Sequence, residues 1–291
     1  MAVVNTNISA SISQLSLAKN ERLLSKAMEQ LSTGKKINSA ADDAAGLAIS
    51  TRMTSQIIGL EKSIQNAHDA ISMVNTAEGA MIEVTAMLQR MRELTVQTAN
   101  GTNAEDDRTY LNMEYQNLAA EIERVAQNTQ WNGRDILTGS AASTTSSAVT
   151  FQVGANASET ISVTIGDISA SGNTNFGAFQ SGGTAATIAT NTAASAQTLS
   201  VSVLTAIDAA ITDVSSHRAT LGAVTNQLTY AIDNLSNVVI NAEATRSRLE
   251  DTDYAKATSE LARTQIIQQA GTAMLAQANQ LPQSVLQLLQ G

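Results

Sequence analysis

Residues 207–249 read IDAAITDVSSHRATLGAVTNQLTYAIDNLSNVVINAEATRSRL and repeat an apolar or small side chain in alternating steps of three and four. This spacing averages 3.5 residues and places the repeated side chains along one side of an α-helix. The predicted buried stripe consists of Ile207, Ala210, Val214, His217, Leu221, Val224, Leu228, Ala231, Leu235, Val238, Ala242, Thr245 and Leu249. The segment is therefore predicted to be one long helix that packs along other helices.

The segment from about Asp42 to Ala99 has the same alternation of three- and four-residue steps, with one irregular step between Val74 and Ala77. Its predicted buried stripe consists of Ile57, Leu60, Ile64, Ala67, Ile71, Val74, Ala77, Met81, Val84, Leu88 and Met91. At ~1.5 Å per residue, such a helix would be on the order of 80 Å long. No ordinary globular domain needs a helix of that length, so the pattern indicates an elongated bundle.

Three further helices are predicted from the same periodicity. The first runs from Thr6 to Leu31 and carries leucines seven residues apart, at positions 17, 24 and 31. The second follows a break at residues 101–103 and ends at the turn Trp131-Asn132-Gly133, with the stripe Leu111, Tyr115, Leu118, Ile122 and Val125. The last lies at the C-terminal end, with the stripe Ile267, Gly271, Met274, Ala278, Leu281, Val285 and Leu288.

The centre of the chain has a different pattern. Apolar residues alternate with polar ones at 149–153 and again at 161–165, which predicts a β-hairpin near residues 149–168. Residues 169–196 are rich in Gly, Ser, Thr and Ala, and they predict a short variable insert at the surface. The fold class expected is mainly α, a long coiled-coil-like bundle with one small β-hairpin element.

Composition disfavours several classes of function. The net charge of −9 disfavours a nucleic-acid partner, and no apolar run reaches the roughly 18 residues that a bilayer-spanning helix requires. No cysteine is present, and the N-terminal residues lack the pattern of a cleavable signal peptide.

No catalytic, cofactor or metal site is expected. The pairs Asp42-Asp43 and Asp106-Asp107 are explained by the preference for acids at helix starts, with a metal site as the alternative.

The two terminal helices have narrow apolar stripes rich in Ala and Gln. Burial of a narrow stripe barely offsets the entropy lost on ordering, so these ends are expected to fold on association with other copies of the chain. A heterologous contact that repeats without closing produces an open helical filament. The expected function is therefore structural self-assembly.

Several motifs closely resemble bacterial flagellin. They are LSTGKKINSAADDAAGLAI at 31–49, LQRMRELTVQ at 88–97, RLEDTDYA at 248–255, QQAG at 268–271 and LAQANQLPQSVL at 275–286. Together the resemblance covers roughly residues 1–140 and 198–291. It implies the structural subunit of the flagellar filament, which serves motility and is exported unfolded by the flagellar type III apparatus. The implied location is the secreted filament.

The resemblance also implies a layered organisation. Residues 1–43 with 255–291 would pair as the terminal helical domain of the inner filament layer, with 32–43 as a connector. Residues 44–168 with 197–254 would form the long-helix bundle domain, and 169–196 the insert, too short for large outer domains. The implied partners are other copies of the chain, the flagellar export chaperone, the filament cap and junction proteins, and the host Toll-like receptor for flagellin.

The family's functional surfaces are carried over onto matching residues. Gln89, Arg90, Leu94 and Gln97 lie in the LQRMRELTVQ motif and are implied in receptor recognition and subunit contact, while Glu114 lies outside that motif. From the residues alone, Arg90, Leu94 and Glu114 would instead belong to a solvated helix face. The implied assembly tail consists of Leu281, Val285, Leu286, Leu288 and Leu289.

Three alternatives stay open at this point. A hook–filament junction protein shares both helical ends, although the intact motifs of the tail and of residues 88–97 favour flagellin. A long-bundle signalling protein, such as the cytoplasmic part of a chemoreceptor, would not interrupt its helices with a β-hairpin. An enzyme would require a cofactor, and no motif in the sequence indicates one.

Overall fold

A computed structural model of the chain describes residues 7–138, 148–169, 173–179, 187–188 and 193–289. Side chains are described at these positions except 179, 193–200 and 281–289. The chain divides into two compact units. Unit 1 comprises residues 1–57 and 240–291, and unit 2 comprises residues 58–239. The domain boundaries expected from the sequence lie elsewhere and stay predictions.

Helices dominate the described residues, which confirms the mainly α prediction. The elements are α1 (Ile8–Thr33), α2 (Ala44–Thr98), α3 (Glu105–Asn128), β1 (Gln130–Trp131), β2 (Arg134–Asp135), β3 (Ala148–Gln152), β4 (Thr160–Thr164), α4 (Thr174–Phe179), α5 (Ala193–Glu250) and α6 (Tyr254–Leu289). Asp43 and Asp107 mark the helix starts expected from their position. The Asp43 carboxylate accepts a hydrogen bond from the Gly46 amide of α2, and the Asp107 carboxylate accepts one from the Ala104 amide.

The core of unit 2 lies between α2, α3 and α5. Every residue of the predicted stripe on α2 is buried or half-buried, and so is every residue of the stripe on α3. Fully buried large side chains include Met81, Leu88, Met91, Tyr115 and Ile122. Because these residues repeat at the period of the helix, the predicted faces are confirmed in both elements.

In the described part of unit 2, the helices are accompanied by two antiparallel strand pairs. The predicted hairpin is β3–β4, in which Phe151 lies opposite Ile161. The pair β1–β2 is shorter and has Trp131 opposite Arg134, around the turn at Asn132-Gly133. The sequence predicted this turn but not its strands, because two residues on each side are too few to show an alternation.

The insert is not purely a surface segment, which corrects the expectation for residues 169–196. Phe176 of α4 and Ile188 are fully buried in the core of unit 2. The Ile188 amide also donates a hydrogen bond of 2.9 Å to the side-chain oxygen of Asn112 on α3. Isolated apolar residues in a Gly/Ser/Thr-rich segment have no period, so the sequence pattern could not assign them to the core.

The stripe predicted on α5 is wrong near its end. Val238 and Thr245 are exposed, and Val239 and Arg246 are half-buried in their place. A straight α-helix drifts by about 20° per heptad relative to a 3.5-residue repeat. From Ile207 to Val238 this drift approaches the angle between neighbouring residues, so the less exposed stripe moves by one position.

In unit 1, α1 and α6 pack against each other in antiparallel orientation. The less exposed side chains of α1 include Ala10, Ser13, Leu17, Asn20, Leu24, Ala27 and Leu31. Those of α6 include Ala257, Leu261, Thr264, Gln268, Gly271, Leu275 and Ala278. A Cβ atom at Gly271 would lie 3.2 Å from Leu17 Cδ1, which shows how closely the two helices approach.

The prediction for α6 is correct at Gly271 and Ala278 and wrong at Ile267 and Met274, which are exposed. The face against α1 carries small side chains at Ala257, Thr264, Gly271 and Ala278, and two helices can approach closely where their side chains are small. The side chains of Leu281, Val285 and Leu288 lie outside the described residues, so this part of the predicted stripe is not tested.

Candidate assembly surfaces

The α1–α6 pair leaves a second apolar face on each helix. On α1, Ile8, Ile12 and Leu15 are exposed, and Leu15 retains 73% of its accessible surface. Ile8 precedes the buried Ala10 by two residues, which is about 200° around the helix, so this face lies opposite the seam. On α6, the exposed apolar residues include Ile266, Ile267 and Met274. Faces of this kind are typical of protein–protein contact sites.

Among the described residues, side-chain hydrogen bonds from Asn7 and Asn20 reach the backbone of α6. Buried Asn20 donates from its side chain to the Thr264 carbonyl at 2.7 Å, and Asn7 donates to the Ala278 carbonyl at 2.7 Å. Asn7 also accepts a hydrogen bond from the Ala10 amide and so caps α1. A polar side chain at a single seam position specifies the alignment of paired helices. Asn20 therefore fixes the register of this pair.

We expect replacement of Asn20 by Ala to lower the free energy of unfolding of the α1–α6 pair by about 1 kcal/mol, since a buried hydrogen bond is lost. Amide hydrogen exchange of residues 8–33 in the full chain measures this. Lys19→Ala, at the exposed neighbouring position, is the control and should change protection by less than about 0.5 kcal/mol. Equal effects of the two substitutions would contradict a register role for Asn20.

The connector between α1 and α2 is held by charged groups within unit 1. Asp42 pairs with Lys26 at 2.7 Å and accepts hydrogen bonds from the Ser39 amide and hydroxyl. Glu250 pairs with Lys35 at 2.5 Å and accepts a hydrogen bond from the Ser50 hydroxyl. The Lys26 contact, followed by that of Ser39, lowers the pKa of Asp42 to about 2. Lys35 is the main cause that lowers the pKa of Glu250.

We expect acid to weaken this connector. Both carboxylates have a lower pKa in the folded chain than in the unfolded chain, so their stabilisation is complete above about pH 5. It is lost as the pH falls toward about 2, because the unfolded chain then binds more protons. Urea unfolding of unit 1 at pH 5 and pH 2 measures the loss. Asp42→Asn should show a smaller difference between the two pH values than the unmodified chain, and an equal difference would contradict this assignment.

The surface of unit 2 carries the residues implied in recognition. Gln89, Arg90, Gln97 and Glu114 are exposed. The Arg90 guanidinium donates to Glu114 at 2.8 Å and to Glu93 at 2.9 Å, so α2 and α3 are joined at this point. Glu114 and then Glu93 raise the pKa of Arg90.

Leu94 differs from the other four residues of this group. It is fully buried in the core of unit 2, so its placement on a solvated helix face is wrong. Tyr110 and Met113, by contrast, are exposed on α3 beside Glu114, and neither was predicted to be functional. Large exposed apolar residues beside a charged pair are the signal that indicates them, but exposure cannot be read from the sequence.

Charge is distributed unequally between the two units. Unit 2 has 7 Lys and Arg against 17 Asp and Glu, a net charge of −10, whereas unit 1 has 10 against 9, a net charge of +1. Contacts between units 2 of different copies must therefore overcome repulsion, which salt screens. The nearly neutral unit 1 meets no such barrier.

The implied assembly tail belongs to the last turns of α6. The helix extends to Leu289, but the side chains of Leu281, Val285, Leu286, Leu288 and Leu289 lie outside the described ones. Among the described residues, no three of His, Cys, Asp and Glu come together as metal ligands would. Nor does any helix in the described ranges have the length and hydropathy needed to cross a bilayer.

Comparison with known proteins identifies relatives along the whole chain. A family model described as the bacterial flagellin N-terminal helical region matches residues 4–142, and the C-terminal helical region of the same family matches 204–289. A flagellin of Halalkalibacterium halodurans is 44% identical, and 99% of each chain is covered. A flagellin of Bacillus subtilis is 43% identical over 98% of this chain and 99% of its own. A flagellar filament 33 kDa core protein of Treponema phagedenis is 38% identical, with 99% of each chain covered.

Proposed function

This chain belongs to the bacterial flagellin family, and from that premise we propose that the exposed apolar faces of α1 and α6 are its contacts with other copies in the filament. The chain is the structural subunit of the extracellular flagellar filament, which serves motility. Nothing in the comparisons favours the hook–filament junction protein. The observation that carries the proposal is the second apolar face, which α1–α6 pairing leaves uncovered.

Energetics support this assignment. Burial of one Leu or Ile side chain contributes roughly 1.5–3 kcal/mol relative to exposure. Ile8, Ile12 and Leu15 on α1, with Ile267 and Met274 on α6, would together contribute several kcal/mol per contact. A monomer gains none of this energy, so the faces favour a polymer. The near neutrality of unit 1 favours the same face over the acidic unit 2 as the first contact between copies.

The family resemblance brings the last turns of α6 into the proposal. We infer that Leu281, Val285, Leu286, Leu288 and Leu289 take part in assembly and bind the export chaperone before polymerisation, as the family resemblance implies. Electron microscopy of purified chain after addition of salt and preformed seeds tests the function. Filaments should grow from the unmodified chain and should fail to grow when all five residues are replaced by Ser. A matched control replaces Gln283, Ser284 and Gln287 by Ala, and it should grow normally.

Further partners follow from the same premise. We propose export in an unfolded state by the flagellar type III apparatus, which the absence of cysteine supports because no disulfide can form before export. The filament cap and the junction proteins are proposed as neighbours at the two ends of the filament. The family is one of structural proteins, and we infer that this chain has no catalytic activity.

We also propose that Gln89, Arg90, Gln97 and Glu114 form the surface that the host Toll-like receptor for flagellin recognises. Their shared exposure and the Arg90–Glu114 ion pair support a single preformed patch. Leu94 supports the patch from the core.

In a receptor-activation assay, Arg90→Ala should reduce signalling at least about tenfold, as truncation of a charged hot spot does. Leu94→Ala should act through lost stability. Arg124→Ala, on the same unit and also ion-paired, is the control and should signal normally. Full signalling by Arg90→Ala would rule out the patch.

A further inference from the structure

A small apolar pocket of about 200 Å³ opens beside the β1–β2 turn of unit 2. Its lining includes Met73, Trp131, Ile136, Val149 and Phe151, together with the exposed Arg134. Pockets that hold small molecules have volumes of roughly 300–1,000 Å³. This pocket is smaller and is suited to one or two side chains of a protein partner.

The local backbone holds this pocket in shape without a partner. Asn132 and Gly133 have φ angles of 50° and 74°, and they are the two central residues between β1 and β2. A two-residue turn of this type requires positive φ at both positions, which Asn and Gly adopt at the lowest cost. The turn places Trp131 directly opposite Arg134. An aromatic ring and a cation therefore stand side by side at the pocket.

The charge of Arg134 indicates the chemistry of the partner. Four of the six arginines of unit 2 pair with carboxylates, namely Arg90, Arg92, Arg124 and Arg218, and Arg108 is buried. Arg134 has no ion pair among the described residues, in a unit with a net charge of −10. A partner that brings apolar side chains together with a carboxylate would fill the pocket and satisfy the cation.

The start of α3 presents this combination. Tyr110 and Met113 retain 69% and 56% of their accessible surface. Asp106 lies four residues before Tyr110 and therefore on the same side of the helix, and it makes no ion pair among the described residues. We name Asp106, Tyr110 and Met113 the acidic knob. Glu114, beside it, is already paired with Arg90.

We propose that the pocket receives the acidic knob of a second copy of the chain, with Tyr110 and Met113 against Trp131 and Phe151 and with Asp106 paired to Arg134. The proposal rests on the proposed function, since it names one contact within the filament. It concerns unit 2 and is separate from the apolar faces of α1 and α6.

The positions of the acidic knob and of the pocket on one chain agree with an open assembly. The knob lies at the N-terminal end of α3, and the pocket follows its C-terminal end. With 24 residues, α3 is ~36 Å long, so one copy cannot fill its own pocket. A contact between two different patches of identical chains repeats from copy to copy and generates an open array rather than a closed dimer.

A charge exchange tests the contact. Arg134→Glu and Asp106→Arg should each raise the critical concentration for filament growth at least about tenfold, because like charges then meet. The double variant should recover to within about threefold of the unmodified chain. Circular dichroism and urea midpoints of the monomers check that each variant folds. Tyr230→Ala is the matched control, since Tyr230 is 74% exposed on unit 2 and lies outside the knob, and it should grow normally.

A cross-link gives an independent readout. The chain has no cysteine, so Met113→Cys and Asn132→Cys introduce the only pair of thiols. About 20 Å of helix separates these positions within one chain, whereas a disulfide requires Cα atoms less than about 7 Å apart. Oxidised glutathione added to filaments should therefore give covalent ladders of several copies.

Two results would overturn the contact. Single charge variants that polymerise like the unmodified chain would show that the acidic knob and the pocket do not meet. Filaments that give no covalent ladder would show the same. In both cases the proposed filament function would be unaffected. Failure of the unmodified chain to polymerise under any salt condition would instead overturn the proposed function. The two failures are therefore distinguishable.

Discussion

Leu15→Asp should abolish filament growth at concentrations where the unmodified chain polymerises. Leu15 is exposed on the outer face of α1, with Ile8 and Ile12 beside it. The substitution removes roughly 2 kcal/mol of apolar burial per contact and places a carboxylate in an apolar interface, which costs further free energy. At 1.4 kcal/mol for each factor of ten, the critical concentration should rise at least about 30-fold. Seeded polymerisation followed by light scattering measures this directly.

Aspartate substitutions at neighbouring positions distinguish the outer face of α1 from its seam against α6. Leu17 belongs to the seam against α6, so Leu17→Asp should lower the helicity and protease resistance of the terminal pair as well as growth. Leu15→Asp should leave the helicity of the pair intact. Ser16→Asp, exposed and polar, adds the same charge with no apolar loss and should have a clearly smaller effect on growth. Normal growth of Leu15→Asp would show that the outer face makes no contact.

Phe176→Ala should lower the free energy of unfolding of unit 2 by about 3–5 kcal/mol, the range for loss of a buried aromatic side chain. Phe176 is fully buried in the core formed by α2, α3 and α5, although it comes from the Gly/Ser/Thr-rich insert. Such a loss is a large share of the 5–15 kcal/mol that stabilises a typical domain. Urea unfolding followed by circular dichroism gives the value by linear extrapolation.

Thr174→Ala is the control for this prediction, since Thr174 lies in the same short helix but is exposed. It should change stability by less than about 0.5 kcal/mol. If the two variants had equal stability, the insert would not contribute to the core. A confirmed loss at Phe176 would show that the insert stabilises the bundle in addition to any role at the surface.

The sequence predicted most of the exposed positions of the proposed recognition surface, but not all of them. The motif at 88–97 identified Gln89, Arg90 and Gln97, and all three are exposed. Leu94 lies in the same motif but is buried. Residues four apart share a helix side only approximately, so a small rotation decides between solvent and core. Tyr110 and Met113 lie outside every recognised motif, and only their exposure identifies them.

The sequence by itself determined the long helices, the spacing of their apolar residues and the β-hairpin. Each of these depends on a repeat of apolar residues within one segment of the chain. Only the tertiary structure decided which of two neighbouring stripes on α6 faces α1. Ile267 and Met274 fit the period as well as Gln268 and Leu275 do, but in the structure Ile267 and Met274 are exposed whereas Gln268 and Leu275 are half-buried. The tertiary structure also placed Phe176 and Ile188 in the core. The spacing of apolar residues shows which side of a helix each residue occupies. Burial depends on the volume available between elements that are distant in the chain.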